Sequence, residues 1–164
     1  MSVPLADLFR LDGRVALVTG ASSGLGVFFA EALAEAGADV VVGARRVDRL
    51  EETKAKIEAL GRRAVAVQTD VTRPEDCTAM VAAAMDQLGR VDVLVNNAGI
   101  GTAVPATKET PEQFSSVVEI NLHGTYWMAQ AAARVVGGQP SQAPSRHLSI
   151  VHRQRMLGSA APLQ

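Results

Sequence analysis

The sequence predicts an α/β domain with a doubly wound parallel sheet of about five strands. Short valine-rich runs alternate with longer segments whose apolar residues recur at helical spacing, which is the pattern of βαβ units. A glycine-rich turn joins the first run to the first helical segment. The length of 164 residues suffices for one domain with a buried core. We therefore expect a single domain over residues 1–164.

Five segments are predicted as strands, because apolar runs of this length are typical of strands buried on both faces of a parallel sheet. They are residues 15–19, 40–44, 64–68, 91–95 and, more weakly, 147–151. We expect them in the order 3-2-1-4-5. Residues 152–155 are polar where a central strand would stay apolar, and 137–145 are rich in Gly and Pro. We therefore expect residues 137–164 to be irregular and the sheet to be incomplete.

Helices are predicted between the strands. The first is expected to stop at Gly37 and to turn one apolar stripe inward. That stripe consists of Leu25, Phe28, Phe29, Ala32, Leu33 and Ala36. The last predicted helix, over residues 110–136, is the longest.

The second and third helices carry capping signals. For the second we expect Asp48 as N-cap and a Glu52–Lys56 pair at i,i+4. Its expected inward residues are Leu50, Ile57 and Leu60. The third is expected to open with a capping box over residues 72–75, to bury Cys77 and to end at Gly89.

Composition excludes several classes of partner. A formal net charge of −1 gives no broad basic field, so neither nucleic acid nor a membrane surface is expected as a partner. Cys77 is the only cysteine, so an internal disulfide cannot form and a cytoplasmic location is the default. The three histidines lack the spacing typical of metal ligands, and no metal is expected.

The glycine-rich turn is the first motif that indicates a ligand-binding site. Thr19, Gly20, Gly24 and Gly26 match the pattern Thr-Gly-x-x-x-Gly-x-Gly between a strand and a helix. In that context backbone can approach a pyrophosphate, and the helix N-terminus stabilises its charge. No Gly-Lys-Ser/Thr follows, which excludes a P-loop. A tight turn without a ligand is the alternative.

With this turn and a second motif, Asn-Asn-Ala-Gly at residues 96–99, the chain resembles the short-chain dehydrogenase/reductase family over residues 11–136. The resemblance implies a Rossmann-type fold that binds a nicotinamide dinucleotide. It implies that Asp70 and Val71 contact the adenine and that Asn121 belongs to a catalytic relay. Its implied cofactor-binding set is Thr19, Gly20, Ser22, Ser23, Gly24, Leu25, Gly26, Asp70, Val71, Asn97, Ala98 and Gly99.

Each implied role has a structural alternative. Asp70 could serve only as a turn residue, and Asn96 and Asn97 only as turn formers in left-handed backbone. Asn121 is a poor helix former within the long helix, where a kink or a backbone hydrogen bond would also explain it.

The end of the second strand indicates which dinucleotide is bound. Enzymes that use NAD place an acidic residue there, whereas this chain has Ala44 followed by Arg45 and Arg46. Arginine offers planar donors that suit a phosphate, so we expect both arginines in the cofactor site and NADP as the preferred cofactor, with NAD as the alternative. The alternative is that both arginines are solvated surface residues.

The resemblance also implies catalytic residues that the 164 residues do not supply. The family's serine and Tyr-x-x-x-Lys have no match, since Gln130 stands four residues after Tyr126. We therefore expect an oxidoreductase of alcohols or carbonyls, truncated at its C-terminal side and inactive as this chain. The truncation is either biological or a frame error near residues 152–155. The rival hypothesis is a catalytically dead module that binds dinucleotide or pairs with a full-length relative. For assembly, we expect either a homo-oligomer or such a pairing.

Overall fold

A computed structural model describes residues 8–136 and 149–152 of the chain. Five parallel strands form one sheet in the order β3-β2-β1-β4-β5, which confirms the predicted topology. The strands are β1 (Val15–Thr19), β2 (Asp39–Ala44), β3 (Ala64–Gln68), β4 (Val93–Asn96) and β5 (Ser149–His152). The Gly/Pro-rich stretch and the last twelve residues lie outside the described part, so their predicted irregularity stays a prediction.

Helices cover both faces of the sheet. They are α1 (Leu25–Glu35), α2 (Val47–Ala59), α3 (Pro74–Leu88), α4 (Pro111–Val118) and α5 (Gly124–Val136). Alternate strand residues point to opposite faces: Ala16 and Val18 pack with α1 and α2, whereas Val15 and Leu17 pack with α3 and α5. The sheet is therefore doubly wound, as predicted. No helix among the described residues is both long and apolar enough to span a membrane.

The predicted inward stripe of α1 is partly wrong. The residues of α1 that are fully buried are Gly26, Ala30 and Ala34, whereas Phe28 is 64% exposed. Leu25 and Ala32 are exposed as well. Small residues let this helix approach the sheet closely, so the bulkier side chains lie along its sides.

Helix ends also differ from the prediction. Arg46, not Asp48, holds the cap position of α2, Leu60 is exposed, and Lys56 bonds Glu31 instead of Glu52. Glu52 pairs with Arg49. Helix α3 has Arg73 at its cap position and no side-chain cap, so the predicted box over 72–75 is wrong.

Two predictions on α3 are confirmed. Gly89 ends the helix in left-handed backbone with φ 83°, and Cys77 is fully buried. Burial, together with the neighbouring carboxylates of Asp76 and Asp70, raises the pKa of the Cys77 thiol to about 12. The thiol is therefore inert at neutral pH.

The predicted long helix is not one regular α-helix. Thr110 and Gln113 form a reciprocal capping box that starts α4, and a π-helical turn (Glu119–His123) separates α4 from α5. Such turns insert an extra residue into a helix and often mark functional sites. Asn121 lies in the middle of this turn.

Candidate functional site

A cleft of about 470 Å³ opens at the carboxyl edge of the sheet. It lies where the strand order reverses between β1 and β4, the usual ligand position in a doubly wound sheet. Most of its lining residues follow the ends of β1 to β4 or begin α1. They are Gly20, Ser22, Ser23, Gly24, Leu25, Ala44, Arg45, Arg46, Thr69, Asp70, Val71, Asn97, Ala98, Gly99, Ile100 and Ile120.

The glycine-rich turn forms one wall of the cleft. Gly24 has φ 60°, a left-handed conformation that other residues rarely adopt. A Cβ on Gly26 would lie 2.3 Å from the Gly20 carbonyl oxygen, so only glycine lets α1 pack on the turn. Because α1 begins at Leu25, the positive end of its dipole lies at the cleft.

A buried hydrogen-bond network joins this turn to the Asn-Asn-Ala-Gly segment. The Thr19 hydroxyl accepts from the backbone N–H groups of Asn97 and Ala98 at 3.1 and 3.0 Å. In return, Nδ2 of Asn97 donates to the carbonyl oxygens of Thr19 and Gly20 at 3.0 and 3.2 Å. Thr19 is fully buried, so it lies beneath the cleft and holds its two loops together.

The arginines after β2 lie beside the turn. Arg46 donates from one guanidinium nitrogen to the hydroxyl oxygens of Ser22 and Ser23, at 3.1 and 3.0 Å. Arg45 is exposed at the same rim. This part of the cleft therefore combines two cations with two hydroxyl groups, which are suitable donors for a phosphate group.

Asp70 and Val71, which follow β3, also line the cleft. The Asp70 carboxylate accepts from the backbone N–H and the hydroxyl of Thr72, at 3.1 and 2.8 Å. The turn-forming role considered as an alternative for Asp70 is thus present, although the residue also lines the cleft. Thr69 lines it too and was missed, although its position directly after β3 could have predicted it.

Asn121 contacts the loop that follows β4. Its Oδ1 accepts from the Ile100 N–H and its Nδ2 donates to the Ile100 carbonyl oxygen, both at 2.9 Å. The side chain therefore fixes the loop beside Gly99, which realises the backbone-bonding alternative. Ile100 and Ile120 line the cleft and were missed, since single isoleucines carry no sequence signal for a site.

Several other polar side chains lie outside the cleft. Tyr126 is 56% exposed, and its hydroxyl accepts from Gln130 instead of lining the cleft. Asp39 and Asp92 lie at the opposite edge of the sheet, in ion pairs with arginines. Residues 8–136 contain no group of three or more acidic, His or Cys side chains that could hold a metal.

Together, the doubly wound sheet, the glycine-rich turn and the helix N-terminus at the reversal point define a dinucleotide-binding α/β protein. Comparison with known proteins narrows this class. The short chain dehydrogenase family profile matches residues 14–141. The chain belongs to the short-chain dehydrogenase family, which confirms the resemblance seen in its motifs.

Relatives in this family carry the names of different oxidoreductases. The chain is 40% identical to versicolorin reductase 1 of Aspergillus parasiticus over 79% of its length and 50% of the relative's. It is 42% identical to an L-rhamnose 1-dehydrogenase (NAD(P)(+)) of Sphingomonas, over 76% of the chain and 49% of the relative. The chain thus spans about half the length of the curated relatives it matches.

A solved structure supports the same family assignment. A gluconate 5-dehydrogenase from Burkholderia cenocepacia, in complex with NADP and tartrate, superimposes with a TM-score of 0.74 at 34% identity. The match covers 81% of this chain and 52% of that one. Members of the family use NAD(P), and this neighbour contains NADP.

Proposed function

We propose that this chain is the nucleotide-binding part of an NAD(P)-dependent oxidoreductase that acts on alcohol or carbonyl compounds and prefers NADP. The observation that carries the proposal is the cleft in which the glycine-rich turn, the arginines after β2 and the Asn-Asn-Ala-Gly segment meet. A bound nicotinamide would supply the hydride donor or acceptor. The residues of this chain would bind and orient it.

The glycine-rich wall would hold the pyrophosphate. Gly20 and Gly26 let the turn pack closely on Ala98 and on α1, and the N-terminus of α1 favours an anion. Ser22, Ser23, Gly24 and Leu25 complete this wall, while Thr19 holds it from below.

The remaining cofactor contacts would lie on either side of the pyrophosphate. Asp70 and Val71 would bind the adenine, and Asn97, Ala98 and Gly99 would line the nicotinamide side. Asn121 would support that side by fixing Ile100. Its place in a catalytic relay remains a prediction.

The preference for NADP rests on the charges at the end of β2. Ala44 stands where a carboxylate would repel a 2′-phosphate, and Arg45 and Arg46 would neutralise that phosphate. The Burkholderia structure contains NADP, and the name of the Sphingomonas enzyme includes NAD(P)(+). Both relatives therefore support a nicotinamide dinucleotide as the cofactor. The arginines favour NADP for this chain.

Titrating NADP⁺ and NAD⁺ into the chain and its Arg45→Asp variant tests the proposal. We expect the wild type to prefer NADP⁺ and the variant to lose about 10-fold to 100-fold of NADP⁺ affinity, because a charge-assisted contact becomes a repulsion. Arg49→Asp is the matched control, since Arg49 pairs with Glu52 on the exposed side of α2. Equal preference for both dinucleotides before and after the Arg45 change would refute the assignment.

A second candidate function is a binding module without turnover. It is favoured by the position of Tyr126, because the only tyrosine of the sequence is not among the residues that line the cleft and it bonds Gln130. We expect the 164-residue polypeptide to bind NADP⁺ without oxidising alcohols, since a lost proton donor removes about 10²-fold to 10⁴-fold of rate. Turnover across a carbonyl and alcohol panel would exclude this candidate.

Location and assembly complete the proposal. A cytoplasmic location and pairing with a second copy or a longer relative both stay predictions. The exposed apolar side chains of Phe114, Leu122 and Tyr126 are compatible with pairing. Cell fractionation and the mass of the purified protein in solution can test these two predictions.

A further inference from the structure

Gly124 makes an unusually close contact between the long helix and the loop after β3. It is the first residue of α5 and is buried against Val71. A Cβ on Gly124 would lie 2.6 Å from Cγ2 of Val71, 3.0 Å from its Cβ and 3.2 Å from its carbonyl oxygen. No side chain larger than hydrogen fits there without a shift.

Backbone conformation does not explain this glycine. Gly124 has φ −59° and ψ −41°, ordinary helical values that any residue adopts. In such a position glycine is less favourable than alanine by about 1 kcal/mol. The close contact with Val71 is therefore the physical reason for glycine at this point.

The contact joins two walls of the cleft. Val71 lines the cleft after β3, whereas Asn121, in the π-turn that Gly124 directly follows, fixes Ile100, which lines the cleft after β4. The Thr125 hydroxyl donates to the Asn121 carbonyl oxygen at 2.7 Å, which ties the start of α5 to this turn. A shift of α5 away from Val71 would therefore move the side chain that holds Ile100.

We propose that Gly124 is a positioning residue. It couples Val71, which would contact the adenine, to the loop around Ile100. A ligand that fixes Val71 then also fixes Ile100, through Gly124 and Asn121. The proposal rests on the proposed function, because it assumes that the adenine part of the ligand contacts Val71. Its mechanical part, the link from Gly124 to Ile100, can be tested without any ligand.

Amide hydrogen exchange of the Gly124→Ala variant tests the mechanical link. The Ile100 amide donates to Asn121, whereas the Leu17 amide lies in the centre of the sheet and reports global opening. We expect exchange at Ile100 to rise about tenfold relative to exchange at Leu17, the effect of weakening one hydrogen bond. An equal change at both amides, or none at Ile100, would overturn the link.

A rescue variant separates the contact from other effects of the methyl group. Val71→Ala removes the Cγ2 atom that the new methyl would strike. The double variant Gly124→Ala/Val71→Ala should therefore recover a large part of the Ile100 protection that the single variant loses. Failure of the double variant to exceed Gly124→Ala in protection would show that the contact is not the cause.

Adenosine 2′,5′-bisphosphate as the probe tests the coupling itself. In the wild type it should slow exchange at both the glycine-rich turn and Ile100; in Val71→Ala it should protect the turn but not Ile100. This second variant adds no bulk, so it serves even where Gly124→Ala does not fold. Protection of the turn alone in the wild type contradicts the coupling, whereas no protection anywhere contradicts the proposed function.

Discussion

The two edges of the sheet place their charged groups in opposite ways. At the amino edge, Asp39 and Asp92 are only 5% and 8% exposed, and arginines surround both. Asp39 accepts from the backbone and side chain of Arg63 and from Arg62, at 2.8 to 3.0 Å. At the carboxyl edge, Arg45 and Arg46 are exposed at the rim of the cleft. Charges at one edge are thus buried in ion pairs, and at the other they face the cleft.

This difference separates stability from binding. A buried carboxylate that receives several donors is costly to remove, because its partners lose their compensation. Exposed donors at a rim contribute little to folding and remain available for a ligand. Substitutions at the amino edge should therefore change the free energy of unfolding, and substitutions at the carboxyl edge should change ligand affinity.

The largest effect is expected for Asp92→Ala. Asp92 accepts from the Val15 N–H, from Arg14 and from Arg90 at 2.6 to 3.0 Å, and all three donors would lose their partner. We expect the free energy of unfolding to fall by about 3 kcal/mol, measured by urea denaturation. The affinity of the folded variant for adenosine 2′,5′-bisphosphate should stay unchanged.

Glu52→Ala is the matched control for this prediction. Glu52 is an exposed carboxylate that also bonds an arginine, Arg49, yet its removal should change the free energy of unfolding by less than about 0.5 kcal/mol. Equal losses in the two variants would mean that burial of the carboxylate does not distinguish the amino edge.

Acidification should also weaken the ion pairs of the amino edge. Each pH step should lower the free energy of unfolding by less than the Asp92→Ala substitution does. Burial raises the pKa of Asp92, but hydrogen bonds from Arg90, Val15 and Arg14 outweigh burial and hold the pKa below its ordinary value. Burial also raises the pKa of Asp39, but hydrogen bonds from Arg63 and the charges of Arg63 and Arg62 outweigh burial and lower this pKa. Both carboxylates therefore stabilise the fold above about pH 4, and this stabilisation is lost as the pH falls through their folded-state pKa values.

Urea denaturation of the wild type and of Asp92→Ala between about pH 6 and pH 3 measures this loss. The wild type should lose more stability on acidification than the variant, because the variant no longer has the Asp92 carboxylate. Parallel curves for the two proteins would contradict the role given to Asp92.

The two edges also differ in how far the sequence predicts them. Residues of the cleft follow strand ends in motifs with fixed spacing, such as Thr19 to Gly26 and Asn96 to Gly99, so the order of strands and most of the lining were predictable. The ion pairs were not, because Arg14 and Asp92 are 78 positions apart and meet only after β1 and β4 pair.

Helix details show the same limit. The inward face of α1 was misjudged because hydrophobicity favoured Phe28, whereas close packing on the sheet requires Gly26 and Ala30. The π-turn around Asn121 has no propensity signal of its own, and it becomes visible only with the hydrogen bonds to Ile100. Periodicity indicates that a helix exists, but backbone proximity determines its phase and its irregular turns.

The smallest effect on stability, with a clear effect on binding, is expected for Arg46→Ala. The Arg46 side chain is exposed and bonds only hydroxyl groups within the described part of the chain, so the free energy of unfolding should change by less than about 0.5 kcal/mol. Affinity for adenosine 2′,5′-bisphosphate should fall about tenfold or more, because a charge-assisted contact to phosphate is lost. Calorimetric titration and urea denaturation of the same sample measure both quantities. Arg49→Ala, one turn further along α2, should change neither. If Arg46→Ala instead destabilised the fold as Asp92→Ala does, or left the affinity unchanged, the two edges would not divide stability from binding.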